Sequence, residues 1–145
     1  LGLVGACDLA IASANASFAF TEARLGLAPA IISITTLGRM SERAAARYYL
    51  TGEVFDAAAA ERAGLITAAA DDVDAEVAAI CDALRGCSPQ GLAETKPLIT
   101  QGLLAAFEQQ AGPMQALSQR LFSSDEAREG ITAFLQKRPP SWAPE

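Results

Sequence analysis

With 145 residues, 51% of them hydrophobic, the chain is the size of one ordinary domain and can bury a core. A net charge of −6 with only 11 lysines and arginines argues against a nucleic-acid partner, which needs a concentrated basic face. Three cysteines without a CxxC pair, and no histidine, argue against a zinc cluster and leave Ser–His and Cys–His chemistry without its base.

Cys7, Cys81 and Cys87 read as reduced, mostly buried thiols of a cytoplasmic protein. Asp8 and Glu22 interrupt the richest apolar stretch, so no uncharged run of about 18 residues offers a membrane span. The chain opens at Leu1 inside an apolar segment, with no signal-peptide n-region, and reads as a piece of a longer protein.

Taken in order, Leu1–Ala6 is small and apolar and predicts a short buried helix, weakened by Gly2 and Gly5. Leu9–Ala12 and Ser17–Phe20 are apolar runs too short for helices and predict two buried strands. Thr21 can cap one helical turn over Glu22–Leu25, closed by Gly26, and Pro29 then forces a loop. Ile31–Gly38 is β-branched and apolar without alternation. Ser41 can begin a helix carrying Ala44, Ala45, Tyr48 and Tyr49, which Gly52 stops.

Asp56 caps an alanine-rich helix, Ala57–Ala63, that ends at Gly64 and feeds a strand at Leu65–Thr67. Asp71–Leu84 sets Val73, Val77, Ile80 and Leu84 on one face of an amphipathic helix. Gly86–Pro89 breaks the composition near Cys87, and three helices are expected beyond it, over 89–109, 113–122 and 124–137, before Pro139 and Pro140. The expected organisation is an α/β part at 1–87 followed by an all-α part at 88–145.

There is no glycine-rich phosphate loop and no paired metal-ligand motif, so any general acid or base must be Asp, Glu, Lys, Tyr or Cys. Glu22 and Asp8 stand out because they lie in the most apolar part of the chain, where carboxyl groups are tuned for proton transfer. Each has a structural alternative. Glu22 could offset a helix dipole or pair with Arg24, and Asp8 could accept backbone N–H groups of the strand and loop that follow.

These segments resemble a known family. LGLVGACDLAIA over Leu1–Ala12 is similar to the end of the crotonase (enoyl-CoA hydratase/isomerase) signature, and FAFTEARLGLAP over Phe18–Pro29 to the next block, which carries a catalytic glutamate four residues after a phenylalanine. YLTGEVFDA over Tyr49–Ala57, AERAGLI over Ala60–Ile66 and DEAREGITAFLQKR over Asp125–Arg138 resemble later blocks in the same order. The nearest resemblance within the family is to members of the methylglutaconyl-CoA hydratase type.

The resemblance implies the C-terminal part of a ClpP/crotonase-like ββα core, then a helical region that covers the active site and builds trimers or dimers of trimers. It implies an acyl-CoA substrate, no cofactor beyond the coenzyme A of that substrate, and an enolate held by two backbone N–H groups. Glu22 takes the place of the catalytic acid/base, while the position of the family's other glutamate is occupied by Gly2. Gly2, Leu25, Ala28 and Pro29 are expected to line the substrate, and Lys137 to approach the CoA phosphates. A single carboxylate suits hydration of a 2,3-unsaturated thioester or double-bond isomerisation, with hydration preferred; a non-catalytic acyl-CoA-binding or assembly member is the rival. The oxyanion-hole donors map before Leu1, so these residues alone are expected to be inactive.

Overall fold

The computed structural model describes residues 1–144, so the last residue of the expected region 88–145 lies outside it. In chain order the elements are α1 (Gly2–Ala6), β1 (Ile11–Ser13), β2 (Ser17–Phe18), a 3-10 turn (Glu22–Leu25), α2 (Ala30–Thr36), α3 (Glu42–Thr51), β3 (Phe55–Asp56), α4 (Ala57–Ala63), β4 (Ala68–Ala70), α5 (Val73–Arg85), α6 (Pro89–Phe122) and α7 (Asp125–Leu135). β1 pairs in parallel with β4, Ile11 opposite Ala68, and β2 pairs antiparallel with β3, Phe18 opposite Phe55. A parallel pair needs a long crossover, and here it carries α2, α3 and α4.

The core forms where these layers meet. Phe20 and Ala57 have no exposed surface, and Tyr48, Phe55, Ala60 and Leu65 are buried beside them. Tyr48 stacks on Phe55 with ring centroids 3.8 Å apart, and Phe20 lies 4.4 Å from the Tyr49 ring. α4 starts where expected, because the Asp56 carboxylate accepts the Ala59 N–H at 2.7 Å, and Gly64 ends it at φ 86°.

α2 is a helix despite the β-branched Ile34, Thr35 and Thr36 in succession after Ser33, a composition with poor helix propensity. Packing and hydroxyl bonding compensate: Thr36 Oγ1 donates to the Ile32 carbonyl at 2.6 Å, and Thr35 Oγ1 donates to the Gly2 carbonyl at 2.9 Å. α1 crosses α2 so closely that a Cβ on Gly5 would lie 2.6 Å from the Thr35 carbonyl oxygen. Arg39 closes the end of α1, with Nε donating to the Gly5 carbonyl at 3.0 Å and Nη2 to that of Cys7 at 2.9 Å.

Three expectations are corrected. The helices expected over 89–109 and 113–122 are one helix, α6, which runs through Pro97 and Pro113. A proline interrupts the ladder only locally, and the packing of α6 on α2 keeps the axis continuous. The strand expected at Leu65–Thr67 begins three residues later: Leu65 and Ile66 are buried as a connection, and Thr67 bonds Ala10 through both its N–H and its hydroxyl before the β4 ladder starts. Cys7 and Cys87 are exposed and Cys81 is half-buried, because each lies on a helix or turn surface outside the aromatic core. No helix among the described residues is long and apolar enough to cross a membrane.

Candidate active site

Glu22 opens the 3-10 turn, and local bonds shape its segment. Arg24 N–H donates to the Thr21 carbonyl at 3.0 Å and Leu27 N–H to the Glu22 carbonyl at 2.9 Å, while Gly26 reverses the chain at φ 72°. The Thr21 side chain makes no capping bond, so the turn is set by the backbone and the glycine rather than by a cap.

Three neighbours fix this turn in space. Phe20, fully buried, anchors its start. Arg24 turns away from Glu22, and its Nε donates to the Thr51 carbonyl at 2.9 Å at the end of α3. Gly52 sits there at φ 59°, with space for a Cβ only 3.1 Å from the Arg24 side chain. On the far side α7 meets the turn backbone to backbone. A Cβ on Gly130 would lie 2.5 Å from the Leu25 carbonyl oxygen, and one on Gly26 would lie 2.6 Å from the Glu126 carbonyl carbon.

Among the described residues the Glu22 carboxylate has no ion pair and accepts no hydrogen bond, so the pairing with Arg24 allowed by the sequence is not made. Its negative charge still reaches Tyr49. Burial raises the proton affinity of that phenol, a hydrogen bond with Thr36 acts the other way, and the Glu22 charge raises it further.

Glu22 lines a cavity of about 140 Å³ with Ala28, Pro29, Ile32, Ser118 and Phe122. The setting is apolar apart from Glu22 and the Ser118 hydroxyl. Such a carboxylate can take a proton from a bound molecule and return it, because none of the described residues competes for its lone pairs. A larger cavity of about 420 Å³ lies between α2 and α6, bordered by Ser33, Thr35, Arg39 and Gln110, and has no carboxylate on its walls.

The residues singled out in the sequence are only partly gathered here. Ala28 and Pro29 share the cavity with Glu22, and Gly2 borders it indirectly, through Ile32. Leu25 faces Gly130 with its backbone and does not line the cavity. Lys137 lies just past α7 with φ 54°, outside this lining. Asp8 pairs with Lys96 of α6, an exposed structural link. Sequence reading missed Ile32, Ser118 and Phe122. No local signal marks the last two, which reach Glu22 only because α6 folds back over α2.

A family model described as enoyl-CoA hydratase/isomerase matches residues 1–145. The chain is 30% identical over 147 residues to mevalonyl-coenzyme A hydratase sidH of Aspergillus fumigatus, covering 98% of this chain and 54% of that protein. It is 30% identical over 139 residues to 2,3-dehydroadipyl-CoA hydratase of Escherichia coli K12, covering 94% of this chain and 54% of that protein. The crystal structure of an enoyl-CoA hydratase from Mycobacterium avium superposes with a TM-score of 0.94 at 57% identity, over 98% of this chain and 57% of that one. The chain thus spans about half the length of the curated relatives it matches.

Proposed function

Because the chain belongs to the enoyl-CoA hydratase/isomerase family, we propose that the protein adds water across the 2,3-double bond of an acyl-CoA thioester, with Glu22 as its acid/base. The observation that carries this reading is the Glu22 carboxylate, free of internal partners in a mostly apolar cavity and held from three sides. The hydratase names of relatives and structural neighbours support the same reaction class.

In this mechanism Glu22 takes a proton from water as the water oxygen bonds to C3. The electrons of the double bond move toward C2 and the thioester oxygen, giving an enolate held by paired backbone N–H donors. Protonated Glu22 then returns the proton to C2, so hydroxyl and hydrogen are both added and the carboxylate is restored. One carboxylate is enough for this sequence of steps.

Gly2 supports a second reading. With no carboxylate there to share the proton traffic, Glu22 could move one proton between two carbons and shift the double bond. A Glu22→Gln substitution in the full-length protein tests both readings. Hydration of an enoyl-CoA and deuterium exchange beside the thioester should fall by about 10²-fold or more, and retained activity would overturn the role of Glu22. The product separates the readings: a 3-hydroxyacyl thioester for hydration, a displaced double bond for isomerisation.

The same proposal places Lys137 near the CoA phosphates, and residues 88–145 as the region that covers the site and self-associates as a trimer or dimer of trimers in the cytoplasm. The exposed apolar side chains of Leu98, Leu104, Phe107 and Phe134 support an association role for these helices.

A further inference from the structure

We propose that Ile32 is a specificity-determining residue, whose side chain fills the space over Gly2 and walls the Glu22 cavity, so that it limits how bulky an apolar group can be beside the reacting carbons. The inference rests on the reading of Glu22 given above and adds to it the size of the acyl group.

Two contacts carry the argument. Toward α1, a Cβ placed on Gly2 would lie 3.1 Å from Ile32 Cγ2 and 3.7 Å from Ile32 Cβ, so the isoleucine already occupies the room a side chain at position 2 would need. Toward the site, the same residue borders the cavity that holds Glu22. Gly2 supplies no side chain and Leu3 points into solvent, 85% exposed. Ile32 thus bridges Gly2 of α1 and the cavity that holds Glu22.

The wall is also stiff. A β-branched side chain in a helix is confined to essentially one χ1 rotamer. The Ile32 carbonyl accepts from Thr36 Oγ1 at 2.6 Å, and Thr35 Oγ1, 3.1 Å from the same carbonyl, shares its one proton between it and the Gly2 carbonyl at 2.9 Å. These bonds fix the backbone of Ile32 against α1. A fixed branched hydrocarbon favours a small apolar substituent and excludes a larger one by overlap.

The test is equilibrium binding of two saturated thioesters, butyryl-CoA and 3-phenylpropionyl-CoA, to the full-length protein and its Ile32→Ala variant. Cutting back the wall should shift the ratio of the two dissociation constants about tenfold or more toward the bulkier ligand. An unchanged ratio would overturn the proposal. Because no turnover is needed, a failure of the hydratase reading in the Glu22→Gln assay remains distinguishable from a failure here. A second measurement needs no ligand: thermal unfolding of Gly2→Val, Ile32→Ala and the double variant. Gly2→Val should cost less in the Ile32→Ala background than alone, and strictly additive losses would show that the two positions do not compete for space.

Discussion

The phenolic oxygen of Tyr49 lies 2.5 Å from Oγ1 of Thr36, and Tyr49 is the donor, because the Thr36 hydroxyl spends its proton on the Ile32 carbonyl 2.6 Å away. The Tyr49 proton is thereby directed into α2, leaving the Glu22 carboxylate of the neighbouring turn without an internal donor. α2 and α3 are joined at the same point.

Tyr49→Phe should therefore cost about 1 kcal/mol, read from the denaturant midpoint, since it leaves the fully buried Thr36 oxygen one partner short. Burial, with a further contribution from the Glu22 charge, raises the Tyr49 phenol above its ordinary value of 10. A raised folded value means that the stabilisation from this group is complete below about pH 10 and declines as pH rises through the folded value. The wild-type protein should lose stability more steeply than Tyr49→Phe in that alkaline range.

Gly130→Ala should destabilise by about 1–3 kcal/mol, because the new methyl would lie 2.5 Å from the Leu25 carbonyl oxygen and 2.6 Å from its carbon, backbone atoms that cannot swing aside. Gly102→Ala, where a Cβ would meet nothing within 4 Å, is the matched control and should be neutral or slightly stabilising. Chemical denaturation of both variants checks the pair. In the full-length protein, Gly130→Ala should also lower turnover by displacing the Glu22 turn.

Glu129 clasps the tail beyond α7. Arg138 Nη1 and Nη2 donate to its two carboxylate oxygens at 2.7 and 2.8 Å, and the Ser141 N–H donates at 2.9 Å. The arginine holds the Glu129 carboxyl down at about 2, from an ordinary value of 4.5. A lowered folded value contributes stability above about pH 4.5 that is lost as pH falls toward 2. The emission of Trp142, the single tryptophan, should report release of the tail over that window. In Glu129→Gln this acid transition should be absent.

The pair between Asp8 and Lys96 should matter little to stability, for its side chains are 30% and 57% exposed. Lys96→Met is expected to change unfolding free energy by less than about 1 kcal/mol, with the difference shrinking further at high salt. A loss of several kcal/mol would mean that the pair is buried against some further surface.

What could be read from the sequence was local. Asp56 and Ser124 each accept an N–H three residues on, as short polar side chains before a helix are built to do. Glu22, Ala28 and Pro29 came together because one tight turn carries them. α2 was not legible as a helix, because its β-branched residues favour that state only once Thr35 has the Gly2 carbonyl to bond. Pro113 suggested a break in α6 that the contact with α2 overrides. Ser118 and Phe122 were invisible as site residues, since only the return of α6 brings them to the cavity.

The close approach of Gly26 to Glu126 joins positions 100 residues apart (126 − 26), and Gly130 repeats the contact with Leu25. Contacts of such long sequence separation form late, after the intervening chain has collapsed and its closure entropy has been met. Core strands and helices can thus assemble around Phe20 while the Glu22 turn is still searching. During vectorial synthesis the turn that carries the carboxylate gains this third support only once α7 has left the ribosome, so chemical competence would wait on α7 and weaken wherever α7 comes away from the turn.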